Sequence, residues 1–440
     1  MENNTKDLIK GAAATGATLA AAHAMAPTVY ADGPETIRVG LLGCGGRGNG
    51  AIRDCLQADK DLVVVAVADL FAGKARGTRD GLARDPKYKD RVKVDDDHIF
   101  SGFDCHEKLA ACEADLLVMA TPPAFRGRQL MAAIKAGKNV FTEKPVATDP
   151  AGARLVIEAS KLAKQKKLAI VCGTQRRHEF SRVELMNRIH DGAIGELVGG
   201  QCYWHGGGIW YRGYSGGQTE MQWQCHNWYH FAWLSGDQIC EQHIHNIDVM
   251  NWCFGGPPVK FTAVGGRGCR DYSGQAKQVC KALNGSEEGW ERYNGDIWDH
   301  IYAEFEYANG GRAQSFSGHG PGSGRNGEKL YGTKGVSDCR RSYWGESKWR
   351  YEGKFVNGQK QEHVDLIKSI RAGTPLNEGV RIAESTLTAI GARIAAYTGR
   401  TITWDWLLNE SKLDLVPKQE DLMAGAGVFM PIPSGADPMV

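Results

Sequence analysis

The chain reads as an α/β protein in two parts: an N-terminal, doubly wound Rossmann sheet of parallel strands, and a C-terminal α+β domain with a large open, mainly antiparallel sheet. Three observations predict this. Short β-branched runs alternate with helical periodicity from residue 37 onward, the pattern of a parallel sheet covered on both faces. A glycine-rich turn, Gly43-Cys44-Gly45-Gly46-Arg47-Gly48, falls between the first run and the first helical stretch. In the second half, Asn309-Gly310 separates two alternating runs, the strongest short hairpin signal.

The elements follow in order. Residues 37–42 read as a buried strand, 50–57 as a helix, and 62–68 (LVVVAVA) as a second strand. Residues 115–120 form a third strand, 127–136 a helix and 139–142 a short fourth strand. The stretch 150–166 carries Leu155, Ile157 and Leu162 at helical spacing, and 168–172 reads as a strand leading away from it. Residues 201–233 are crowded with Gly, Trp, Tyr and His and read as a pocket-lining loop region. Strands at 302–307 and 312–317 flank the hairpin turn. Helical period returns at 363–371 and at 378–397, where Ile382, Leu387, Ile390 and Ile394 share a face, and such a late pair is expected to pack back on the first domain. The implied organisation is a leader over 1–31, a dinucleotide-binding domain over 36–150, a substrate and oligomerisation domain over 151–405, and a tail over 406–440 that looks unstructured from Pro431.

Composition narrows the function. At 440 residues the chain exceeds what one core supports. Lys plus Arg number 53 against 51 Asp plus Glu, leaving a net charge of +2 and no footprint for nucleic acid or anionic lipid. Glycine, at 56 residues, is enriched without periodicity, which favours tight turns and close backbone approaches over a fibrous repeat. The twelve cysteines contain no CxxC pair and do not resemble a disulfide scaffold. The apolar run over 11–26 is too short for a membrane span; Lys6 and Lys10 before it and Val29-Tyr30-Ala31 after it read as an export signal. It resembles a twin-arginine leader in which Thr5-Lys6 stands where the arginine pair belongs, so a periplasmic location is expected, with a cytoplasmic one if the leader is a remnant.

In the glycine-rich turn, Gly43 permits the tight turn, Gly45 lets backbone amides approach a pyrophosphate, and Gly48 allows helix and strand to touch, with Gly46 and Arg47 between them. Asp69 follows Gly48 by 21 residues, at the end of the second strand, where a carboxylate accepts hydrogen bonds from a ribose diol and repels a 2′-phosphate. NAD is therefore favoured over NADP. Thr121-Pro122-Pro123 ends the third strand on the same sheet edge, and Glu143-Lys144-Pro145 ends the fourth. There Lys144 can set an ammonium beside nicotinamide and a substrate hydroxyl, with Glu143 in the cofactor pocket.

Together, GxGxxG, Asp69, TPP and EKP in this order resemble the Gfo/Idh/MocA oxidoreductases, over about residues 36–405. The resemblance implies hydride transfer to or from sugars and cyclitols, a homo-oligomer (dimer or tetramer) built on the open sheet, cofactor binding by Gly43, Gly45, Gly48 and Asp69, and catalysis by Lys144. The family's D-x-x-x-H element matches Glu241 to His245, with Glu in place of Asp. On a helix, Glu241, His245 and Asp248 would share one face. His245 is then the candidate general base and Glu241 its orienting partner. Arg176, Arg177, His178, His205, Tyr211, Trp223 and His226 are candidate sugar contacts. His226 and His230 have HxxxH spacing, but no third ligand is set by spacing and no metal is expected.

The leading reading is an NAD-dependent oxidoreductase of a small sugar or cyclitol, with tightly held cofactor. Two alternatives stay open: a glycosidase that oxidises and re-reduces a ring carbon on bound NAD, as NAD-dependent alpha-N-acetylgalactosaminidases do, and a ligand-binding Rossmann protein without chemistry.

Overall fold

The computed structural model describes residues 36–320 and 324–430; the leader expected over 1–31 and the tail from Pro431 lie outside the described residues. The first sheet is parallel, with strands β1 (Ile37–Leu42), β2 (Leu62–Asp69), β3 (Ile99–Ser101), β4 (Leu116–Met119), β5 (Asn139–Thr142) and β6 (Ile170–Cys172) in the order β3-β2-β1-β4-β5-β6. This is the doubly wound topology the sequence predicts, with its switch point between β1 and β4. The helices are α1 (Gly46–Ala58), α2 (Ala72–Arg84), α3 (Cys105–Ala111), α4 (Pro123–Lys135) and α5 (Pro150–Lys166). β1, β2 and β4 are almost wholly buried, which is why they read as continuous apolar runs. The segment 168–172 does not lead away: β6 pairs parallel with β5 and closes the first sheet.

The second sheet has nine strands. They are β7 (Leu197–Gly206), β8 (Lys260–Gly266), β9 (His300–Glu306), β10 (Arg312–His319), β11 (Arg325–Gly332), β12 (Gly335–Ser337), β13 (Ser342–Gly345), β14 (Trp349–Arg350) and β15 (Ile402–Thr403). Their order is β14-β13-β12-β11-β7-β10-β9-β8-β15, and every pair is antiparallel except β7 with β10. The hairpin at Asn309-Gly310 joins β9 to β10, Gly310 taking φ +80°. The region 201–233 is not all loop: residues 201–206 belong to the central strand β7.

The helices of the second half include α6 (Phe180–His190), α7 (Glu220–His226), α8 (Ala232–Ser235), α9 (Gln238–Glu241), α10 (Ile244–Phe254), α11 (Ser273–Asn284), α12 (Gly358–Arg371) and α13 (Gly379–Thr398); α9, α10 and α13 pack on one face of this sheet. The other face exposes Val198, Val264, Phe316 and Trp344. α13, buried along nearly its whole length, packs between α5 and β8, and α12 packs on α1. The segment after β15 also lies against the first domain. The Leu415 amide donates to Asp149 at 2.9 Å, and Arg128 of α4 donates to the carbonyls of Val416 and Pro417. Farther on, Gln224 and Val428 exchange two hydrogen bonds at 2.6 and 2.9 Å.

Candidate active site

The carboxyl ends of β1, β2, β4 and β5 open into a cleft of about 390 Å³, walled on its far side by residues of the second domain. At its floor, Gly43 has φ +94°, and a Cβ there would come within 2.7 Å of the Ala120 backbone. A Cβ on Gly48 would meet the Gly43 carbonyl oxygen at 1.7 Å, so only glycine lets α1 touch the turn. Gly45 and Gly46 are different: nothing stands within 4 Å of a Cβ on either. Gly45 caps α1 with extended backbone and no side-chain cap, so the first amides of α1 face the cleft without a protein acceptor from that cap. These are the features a pyrophosphate cradle requires.

Asp69 ends β2. Its Oδ2 accepts from the Cys44 amide at 2.7 Å and its Oδ1 from the Phe71 amide at 2.9 Å, which aims the carboxyl at the glycine turn. Burial pushes its pKa up, opposed by those two amides and by Lys74. Asp69 and Glu143 stand on strands three positions apart in the sheet, about 14 Å at the usual strand spacing. An extended dinucleotide spans that distance. The residues present therefore fit an adenine dinucleotide.

That corner is built from three loops. Thr121 and Pro122 line the cleft, and the Thr121 hydroxyl donates to Gln129 at 2.5 Å. Arg126 donates to the Thr121 carbonyl at 2.8 Å and to the Pro145 carbonyl at 2.6 Å, tying the β4 and β5 loops together. Its burial lowers its pKa to about 10, still a cation at neutral pH. Glu143 is buried and is bonded by Arg47. Lys144 sends its ammonium across the domain boundary to Glu241, 3.0 Å from Oε1 and 2.5 Å from the backbone carbonyl.

Glu241, His245 and Asp248 do not share one helix. Glu241 closes α9, the chain bends at Gln242 and His243, and His245 lies in the first turn of α10. Glu241 and His245, on either side of this break, both reach the cleft beside Lys144, while Asp248, farther along α10, lies outside the lining. His245 is nearly buried, its Nδ1 has no hydrogen-bond partner, and its ring stacks on Trp204 at 6.0 Å. Burial, then the charges of Lys144 and Arg176, hold its pKa well below the ordinary histidine value, so the imidazole is neutral.

Residues 37–173 match a family model described as an oxidoreductase family with an NAD-binding Rossmann fold, and residues 183–337 match the Gfo/Idh/MocA C-terminal domain. The chain belongs to the Gfo/Idh/MocA oxidoreductase family. Among relatives, inositol 2-dehydrogenase of Salmonella typhimurium is 27% identical over 219 residues, 49% of this chain and 54% of that protein. The match thus spans about half the length of the curated relatives. Among solved structures, aldose-aldose oxidoreductase from Caulobacter crescentus superposes with a TM-score of 0.61 at 16% identity, covering 84% of this chain and 99% of that one. Scyllo-inositol dehydrogenase from Lactobacillus casei gives 0.59 at 16% identity, with the same coverage. At such identities the likeness is one of fold.

Within this Gfo/Idh/MocA site, the remaining sequence candidates fall elsewhere. Arg177 makes a bidentate pair with Asp248 at 2.9 and 3.0 Å, and Ser385 adds a bond at 2.8 Å. Against the cost of burial, Arg177 and Arg381 hold the Asp248 carboxyl below its ordinary value. Both residues are committed to this buried network and neither lines the cleft. Arg176 is bonded by its guanidinium to Glu328 and to Asn326, while its neighbour Gln175 lines the cleft instead. His205 is exposed on the open face of β7; the adjacent Trp204, on the helix-covered face, lines the cleft. Tyr211 stacks on Tyr272 at 5.4 Å and donates to the Tyr293 carbonyl at 2.9 Å, in an aromatic cluster away from the lining. Trp223 is buried in the same cluster, and His178 pairs with Asp365 at 2.7 Å. His226 packs on Phe71 and His230 bonds the Trp210 carbonyl, so the two serve separate contacts.

Sequence reasoning missed Arg126, Trp204, Trp228, Gln175, Gln242 and Glu362, all of which line the cleft. Strand alternation would have marked Trp204, two residues from buried Cys202; the others carry no local signal.

Proposed function

We propose that this protein is an NAD-dependent oxidoreductase that moves hydride between a ring C–OH of a small sugar or cyclitol and nicotinamide. The single observation that carries the reading is the convergence, in one cleft with the glycine turn and Asp69, of the Lys144 ammonium and the neutral His245 imidazole. The bound dinucleotide supplies the hydride acceptor. His245 takes the proton from the hydroxyl as hydride leaves the same carbon, and Lys144 steadies the oxygen as its charge develops. Glu241 fixes the ammonium from two sides, through its carboxylate and its carbonyl. Trp204 backs His245 and offers an apolar face to a sugar ring. Asp69 favours NAD over NADP, because a carboxylate repels a 2′-phosphate.

A second copy of the chain is the proposed partner, meeting the open face of the second sheet where Val198, Val264, Phe316 and Trp344 are exposed. The mass of the protein in solution, measured by light scattering, tests this.

The test of the activity is a panel of cyclitols and aldoses incubated with protein and NAD, followed by absorbance of NADH, with nucleotide released from the purified protein identified by mass spectrometry. NADH formation, or exchange of oxidation state between two sugars on bound nucleotide, supports the reading. Release of sugar from glycosides with no redox change would favour the glycosidase instead.

A further inference from the structure

Arg47 is surrounded by more carboxylates than one guanidinium needs. Its Nε bonds Glu143, and its Nη1 stands 3.4 Å from Asp54. Its Nη2 is buried, has no hydrogen-bond partner, and lies 3.6 Å from Oε1 of Glu362. Glu362 enters from α12, far along the chain, and borders the cleft beneath Arg47. It is fully buried, and neither of its carboxyl oxygens has a hydrogen-bond partner. A buried carboxyl left without partners is costly to the fold. Such an arrangement destabilises the fold unless another state of the site uses it.

Groups from every packed element face Glu362: Arg47 of α1, Glu143 after β5, Cys172 of β6, His178 before α6, and Glu378 before α13. On its own helix, His363 is neutral, pushed down to about 3 by burial and by Arg47. Against the cost of burial, Glu378 and Asp365 raise His178 to about 10, and its charge is already matched by those two carboxylates. Arg47 is therefore the cation to which Glu362 can turn. With Arg47 held by Glu143, burial and the Glu143 charge keep the Glu362 carboxyl protonated, well above the ordinary carboxyl range.

Resting on the dinucleotide reading of this cleft, we infer that Glu362 is a positioning residue for the nicotinamide half of the nucleotide: it takes Arg47 from Glu143 when the second ribose engages Glu143. Nη2 already stands 3.6 Å from Glu362, so the exchange requires the guanidinium to turn its Nε away from Glu143 as Nη2 closes on Glu362. The exchange leaves Glu143 free to accept from the ribose hydroxyls. It also converts Glu362 from acid to carboxylate, so one proton passes to solvent when the nucleotide binds. Affinity for nucleotides carrying the second ribose then rises with pH, while affinity for ADP, which ends at the pyrophosphate, gains nothing from this exchange.

The experiment is binding of NAD, ADP-ribose and ADP to the full chain and to Glu362→Gln, by calorimetry across pH 6 to 9. The wild type is expected to show an ADP-ribose to ADP affinity ratio that rises with pH. Glu362→Gln is expected to bind NAD and ADP-ribose at least tenfold more weakly at pH 8, to bind ADP within twofold of wild type, and to lose the pH dependence of the ratio. Glu362→Asp should restore part of it, and Glu362→Met, which keeps the volume without the charge, repeats the test if the amide variant does not fold. Equal weakening of ADP, or an unchanged ratio and pH slope in the variants, overturns the inference. Failure of the wild type to bind any of the three nucleotides would overturn the functional reading itself, and this inference with it.

Discussion

The ammonium of Lys144, in the loop that follows β5, lies 3.0 Å from the carboxylate of Glu241 in the second domain. Both side chains are largely buried, and the ammonium also meets the Glu241 carbonyl. An exposed ion pair contributes about 0–1 kcal/mol and would not hold two domains in register. Shielded from water and doubly bonded, this one fixes where the ammonium points within the cleft.

Replacing Lys144 with alanine is expected to lower kcat by about 10²–10⁴-fold while NAD affinity stays within threefold, since the floor of the cleft is made by Gly43, Gly45 and Asp69. Steady-state kinetics with parallel calorimetry of NAD binding checks this. Unchanged turnover would favour a binding protein without chemistry.

His245→Asn should cost about 10²–10⁴ in kcat and flatten the acid limb of the pH profile. In the wild type, burial, Lys144 and Arg176 lower the imidazole pKa, so the free base is present at pH 6.5 and above. The acid limb of kcat/KM is expected below 6.5, and a limb well above 7 would contradict the assignment.

The two kinds of glycine in the nucleotide turn separate stability from binding. Gly48→Ala drives a Cβ into the Gly43 carbonyl and is expected to cost about 1–3 kcal/mol or more of stability, read as a lower Tm. At Gly45 a Cβ meets no protein atom, so Gly45→Ala should leave Tm unchanged and weaken NAD about tenfold, because the added methyl stands where the pyrophosphate approaches.

Asp296 gives a pH test outside the active site. Burial and the neighbouring Asp237 raise its pKa to about 7, and its Oδ2 has no partner while Oδ1 accepts from the Ala232 amide. A raised carboxyl pKa means the folded state holds a proton that the unfolded chain releases near 4, so this stability is present at low pH and lost as pH rises through 7. Asp296→Asn keeps the acceptor and is expected to raise Tm by about 2–5 °C at pH 8.5 and to change it little at pH 5.

The nucleotide half was legible because its constraints are local. A tight turn needs Gly43, a close helix needs Gly48, and Asp69 ends the next strand facing that turn; all three lie within a short stretch of chain. The catalytic half was only partly legible. Helical periodicity placed Glu241, His245 and Asp248 on one face; Glu241 and His245 do meet in the cleft across a break at Gln242 and His243, but Asp248, farther along the second helix, is taken up by Arg177 and Ser385. Isolated arginines and histidines such as Arg176 and His205 say nothing of which way a side chain points, whereas strand alternation separates Trp204 from His205. Glu362 comes from a helix more than two hundred residues beyond Glu143, and long-range packing of that kind leaves no mark in local sequence.

The most direct test of the account is a crystal structure of the full chain with NAD bound. The account predicts the pyrophosphate over the amides of the Gly45 turn, the adenosine ribose at Asp69, and the nicotinamide ring in the corner formed by Lys144, Glu241 and His245. A nicotinamide ring lodged away from Lys144 and His245, or a cleft that admits no nucleotide, would contradict it.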